Sequence, residues 1–117
     1  MQPTQITYHG IEPSPALTEL IETRAEQLQR VSDRIHSVRV LVDAPHQHQK
    51  KGNHYRVRIE LTMPGQEIVI GHDDDDRDTD EDAYQAVRRA FDALRRRLDE
   101  SVAKRHGKQR AHQAARR

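Results

Sequence analysis

Residues 5–9 alternate, with Ile6 and Tyr8 on one side and Gln5, Thr7 and His9 on the other. A period of two marks a half-buried strand. Ser14-Pro15 comes next. A serine oxygen can accept from the orphan N–H groups of a helix start, and proline suits the first helical position. Behind it Leu17, Leu20, Ile21, Leu28 and Val31 fall on one helical stripe. Arg24 interrupts that stripe, so its head is expected to reach out from the stripe's edge. Val38, Val40 and Val42 alternate with Arg39, Leu41 and Asp43 as a second strand. Tyr55, Val57, Ile59 and Leu61 alternate with Arg56, Arg58, Glu60 and Thr62, the clearest strand in the chain. Met63-Pro64-Gly65-Gln66 has the proline and glycine of a type II turn. Ile68 and Ile70 follow as a fourth strand, closing a hairpin.

From Ala83 the pattern returns to helical spacing, with apolar residues at 83, 84, 87, 90, 91, 94, 98 and 102. Asp80, Glu81 and Asp82 precede this helix, where its dipole favours negative charge. Gly107 is the expected stop. The order is strand, helix, three strands, helix. Every strand alternates, so one sheet face is buried and the other wet. The expected fold is therefore α+β: a two-layer β-α-β-β-β-α domain, with a four-stranded sheet and two helices on one face. If the first two strands pair side by side, the helix between them makes them parallel, with a right-handed crossover.

Composition sharpens the boundaries. In 117 residues, hydrophobic and charged residues each make up 33%. Mean hydropathy is −1.04. No Leu, Ile, Val or Phe lies beyond Val102. Residues 1–106 are thus expected to form the domain, and 107–117 a basic, disordered tail that cannot bury apolar surface. The chain has no cysteine, which excludes disulfides, thiolate metal sites and a cysteine nucleophile. No apolar run approaches the ~20 residues that span a bilayer, and the first residues do not read as a signal peptide. A cytoplasmic location without membrane attachment is the expectation.

The net charge of +1 conceals a strong asymmetry. Residues 73–82 hold eight acids against one arginine. Residues 88–117 hold eleven basic residues against Asp92, Asp99 and Glu100. Arg88, Arg89, Arg95 and Arg96 lie away from the apolar stripe of the last helix. A solvated helix face is the plain reading of such charges. A phosphate-binding strip is the functional one, because clustered Arg and Lys release counterions from nucleic acid. Six basic residues and no acid among the last 14 favour the strip.

Other chemistry is sparse. His46, His48 and His54 share a polar loop with Lys50 and Lys51. The lysines repel a cation, so a solvated loop or a contact with nucleic acid or a partner outweighs a metal site. Asp73–Asp76 lack the spacing of a calcium loop and read as a solvated linker. The serines stand in no nucleophile elbow, and Gly-rich phosphate loops are absent. No catalysis, no cofactor, no metal and no small-molecule substrate are expected.

Three stretches carry a resemblance. These are A-L-T-E-L-I-E-T-R-A-E-Q-L leading into Asp33-Arg34-Ile35; R-V-R-I-E-L-T-M-P-G-Q-E-I-V with the A-P-H-Q-H-Q-K-K-G loop before it; and E-D-A-Y-Q-A-V-R-R-A-F-D-A-L-R-R-R-L. The last is the most characteristic. Together they resemble the ribosome hibernation-promoting factor and ribosome-associated inhibitor family, also called the sigma-modulation family, over roughly residues 4–106. The resemblance implies a short bacterial member that binds the rRNA of the small ribosomal subunit. It would occupy the mRNA/tRNA channel and block translation in stress or stationary phase. Family contact is made mainly by basic residues of the two helices, and Arg24, Arg30, Arg96 and Lys104 match that pattern. With the charge map, the expected RNA-binding set is Arg24, Arg30, Arg88, Arg89, Arg95, Arg96, Arg97, Lys104 and Arg105. Asp99, Glu100 and the heavy Asp73–Asp76 run depart from the family pattern. They are expected to weaken or shift RNA contact, which Arg95, Arg97 and the tail would offset. The rival readings are a protein-interaction module modulating transcription and a metal-binding stress protein. Dimerised against idle single ribosomes, the regulatory signal and the oligomeric state have no signature in the sequence.

Overall fold

The computed structural model describes residues 4–44, 55–71 and 82–115, with side chains described as far as Lys104. The chain runs β1 (Gln5–His9), α1 (Pro15–Val31), β2 (Ser37–Asp43), β3 (Arg56–Met63), β4 (Gln66–Ile70) and α2 (Ala83–Ala115). The strands form one sheet in the order β1-β2-β3-β4. β1 pairs parallel to β2, and the other pairs are antiparallel. The α+β reading, its element order and the parallel first pair are what the alternation predicts.

Local chemistry sets the element ends. Ser14 caps α1 by accepting from the Leu17 N–H at 3.3 Å, with Pro15 in the first turn. The Tyr8 hydroxyl donates to the Ser14 carbonyl at 3.2 Å and shares a 2.7 Å hydrogen bond with the Thr18 hydroxyl, tying β1 to the start of α1. Asp82 caps α2, its carboxylate accepting from the Tyr84 N–H at 2.9 Å. Gly65, at φ +70°, supplies the positive φ of the hairpin turn. Gly71 has a steric reason to be glycine as well: a Cβ there would sit 2.3 Å from the Val57 carbonyl oxygen.

Register places Ile6, Tyr8, Val38, Val40, Val42, Val57, Ile59, Leu61, Ile68 and Ile70 on one face. Leu17, Ile21, Ala25 and Leu28 of α1 and Val87, Ala90, Phe91, Leu94 and Leu98 of α2 join the same core. One core on one face means both helices cover the same side. The opposite face is polar and internally paired. Arg39 faces Glu60 in the β2–β3 register, Arg58 reaches Glu60 at 3.3 Å, and Arg39 donates to Gln5 at 3.0 Å.

Three details differ from the periodicity. Tyr84 and Val31 are exposed, while Ala86 and Ala25 are buried in their stead. Tyr84 lies in the first turn of α2 and Val31 is the last residue of α1. Ile70 is only partly buried, because β4 is an edge strand. The third difference is larger: the α2 backbone passes through Gly107 to Ala115. Glycine costs only about 1 kcal/mol against alanine inside a helix, and its neighbours Lys108, Gln109, Arg110 and Ala111 favour helix. The side chains of residues 107–117 fall outside those described, and so does the mobility expected of them.

Two outcomes follow. Phe91 is 1% exposed at the centre of the core. Phe91→Ala is expected to cost ~3–5 kcal/mol in urea unfolding. A loss below ~1 kcal/mol would contradict the packing. Deleting residues 107–117 is expected to leave the melting temperature within about 2 °C, since the core ends near Val102. A fall of many degrees would make the segment part of the fold.

Candidate nucleic-acid interface

Two helices on one sheet face lie side by side, and their outer surfaces enclose an open groove of about 830 Å³. α1 contributes Arg24, Gln27 and Leu28; α2 contributes Arg89, Phe91, Asp92, Ala93, Arg95 and Arg96. Four arginines against one aspartate make this groove cationic.

Helical spacing explains the α2 side. Arg88 and Arg95 are seven residues apart, as are Arg89 and Arg96, so each pair shares a line along the helix. Asp92 lies three or four residues from all four of these arginines, and positions so spaced are neighbours on a helix. Arg95 Nε sits 3.2 Å from both carboxylate oxygens of Asp99, one turn on.

Arg24 bridges the two helices at the rim. It stands within the α1 stripe, and a long cationic side chain can lay its stem on apolar surface while its head reaches water. The guanidinium carbon lies 5.9 Å from the centroid of the Phe91 ring. One Nη donates to the Asp92 carboxylate. The side chain keeps 25% exposure, against 65% for Asp92.

The other expected site residues separate. Arg88, Arg97 and Lys104 are exposed on α2 outside the groove. Arg30 is exposed at the far end of α1 and lines a second groove of about 510 Å³ with Ser32, Arg34, Gln66 and Ser101. The Arg105 side chain lies outside the described residues, as do the His46–His54 loop and the Asp73–Asp76 run. Among the described residues, no group of three or more His, Asp or Glu is placed to hold a metal ion. No described helix is long and apolar enough to cross a membrane. Sequence reading missed the Arg24–Asp92 pair, because partners 68 residues apart leave no local signal. The Arg95–Asp99 pair was missed as well, although its i, i+4 spacing is a local signal.

Comparison with known proteins first defines the class. The fold is similar to that of a ribosomal subunit interface protein from Coxiella burnetii, with a TM-score of 0.69 and 23% identity over 86% of this chain and 97% of that one. It is also similar to the N-terminal domain of Protein Y from Thermus thermophilus, with a TM-score of 0.65 and 20% identity over 82% of this chain and 93% of that one. At these identities the likeness is one of fold. No curated protein matches the chain. The particular family follows from the sequence itself: residues 4–106 match the family described as sigma 54 modulation protein / S30EA ribosomal protein, and the chain belongs to it.

The ion pair in the groove makes a quantitative statement. An exposed pair is worth about 0–1 kcal/mol. Asp92→Asn is therefore expected to lower stability by no more than ~1 kcal/mol in chemical denaturation. A loss of 3 kcal/mol or more would make the pair a structural clasp rather than a surface contact.

Proposed function

We propose that this protein is a ribosome-associated hibernation factor that docks on the rRNA of the small subunit, in the mRNA/tRNA channel, and occludes it during stress or stationary phase. The convergence of arginines from both helices on one open groove carries this reading. α2 supplies Arg89, Arg95 and Arg96, and the packing of both helices on one sheet face adds Arg24 and makes the site concave. Membership of a family that includes ribosomal subunit interface proteins supports it.

The mechanism is steric and electrostatic, with no chemical step. Arginines meet phosphate oxygens, displace condensed counterions and fix the protein's position. Phosphate contacts carry no sequence code, so the shape of folded RNA selects the site. Bound there, the domain excludes mRNA and tRNA by its volume. No cofactor takes part, and the protein works in the cytoplasm, where its partner is.

Sedimentation through sucrose gradients tests the proposal. The protein is expected to travel with small subunits, and log affinity to fall with log salt by about 0.7–0.9 per phosphate neutralised. Replacing Arg95, Arg96 and Arg97 by Glu is expected to abolish association with the fold intact by circular dichroism. Replacing Asp73–Asp76 by Ser is expected to leave affinity equal or slightly higher. The family description also names sigma 54 modulation. A protein partner would reverse this pattern: association would survive the arginine changes and be lost with the aspartate changes.

A further inference from the structure

Asp92 in the groove and Asp99 beside it are the least expected features of a phosphate-binding surface. Asp92 is 65% exposed and Asp99 56% exposed, so burial does not oblige either to be there. Exposed ion pairs contribute little to a fold, so stability does not explain them either. Yet each engages an arginine that lines the groove: Asp92 accepts from Arg24, and Asp99 holds Arg95 Nε at 3.2 Å from both its oxygens. Asp92 also lies within one helical turn of Arg88, Arg89 and Arg96, and Asp99 within one turn of Arg96.

We infer that Asp92 and Asp99 are specificity-determining residues, which suppress binding of generic polyanions and select RNA that presents hydrogen-bond donors between its phosphates. This rests on the RNA-binding reading of the groove. A flexible polyanion offers only acceptors. A phosphate that reaches Arg24 or Arg95 through their remaining N–H donors comes to lie beside a carboxylate of its own charge. Folded RNA offers the same phosphates together with 2′-hydroxyl and base amino donors. Where those donors meet the exposed carboxylates, charge-assisted hydrogen bonds replace the repulsion. The same two residues thus oppose one ligand class and accept the other. Arg24 reinforces the discrimination. Its head lies over Phe91 and on Asp92, two contacts that favour one position for the guanidinium in the groove.

The test compares the full chain with Asp92→Asn, Asp99→Asn and the double variant. The probes are small ribosomal subunits and inorganic polyphosphate at matched ionic strength. Glu67→Gln, an equal charge change on the exposed part of β4, controls for net charge. The double variant is expected to bind polyphosphate at least tenfold more tightly than the natural chain, while its affinity for subunits changes less than threefold or falls. Glu67→Gln is expected to change both less than twofold. Equal gains on both probes would overturn the inference, since the acids would then be plain repulsion. So would an unchanged polyphosphate affinity, or a gain matched by Glu67→Gln. If the natural chain fails to bind small subunits at any salt, the ribosomal reading falls and, with it, the selection of RNA. If the natural chain binds subunits and only the selectivity ratio stays flat, the ribosomal reading stands and the role of Asp92 and Asp99 alone is lost.

Discussion

A four-stranded sheet with one apolar face cannot remain half covered. Each strand delivers its large side chains to the same side, and the other side is a lattice of Arg39, Arg58 and Glu60 that no apolar helix would cover. Both helices must therefore share one face. That requirement sets their neighbourhood, and the neighbourhood makes the groove. The cationic surface is thus a by-product of one-sided burial. Arginines on the outer flank of either helix alone would form a stripe; brought side by side, they line a concave site.

Most of the fold was legible because it is written in period. Val38, Val40 and Val42, or Val57, Ile59 and Leu61, cannot be placed on a wet face without exposing all of them at once, and the whole set is buried. Misreadings gathered at element ends and at small residues. Ala25 and Ala86 carry little hydrophobic signal, yet they are buried in the core. Tyr84 and Val31 carry a strong signal but lie at helix ends and are exposed. Gly107 shows the limit of punctuation: a residue that often ends helices did not end this one, because its flanking residues favour continuation.

The candidate site was legible as a list of cations and not as an arrangement. Spacing along α2 puts Arg88 with Arg95 and Arg89 with Arg96. It cannot say which line turns toward α1. The structure brings Arg24, Arg89, Arg95 and Arg96 together and leaves Arg30 at a separate groove. It also shows that two of the three acids counted against the basic total, Asp92 and Asp99, are engaged with particular arginines. Net charge by segment is a sum, and a sum cannot distinguish a free cation from a partnered one. At 23% identity, the fold shared with the Coxiella burnetii protein says little about such pairings.

Phe91 lies beneath this surface with one side in the core and one against Arg24. The chain's one phenylalanine is therefore a bearing on which a charge rests. Interior packing and surface potential share a common part, so they cannot drift independently. A substitution that loosens the ring also loosens the aim of the guanidinium above it. Variants selected for thermal robustness would carry altered electrostatics without any change to a charged residue.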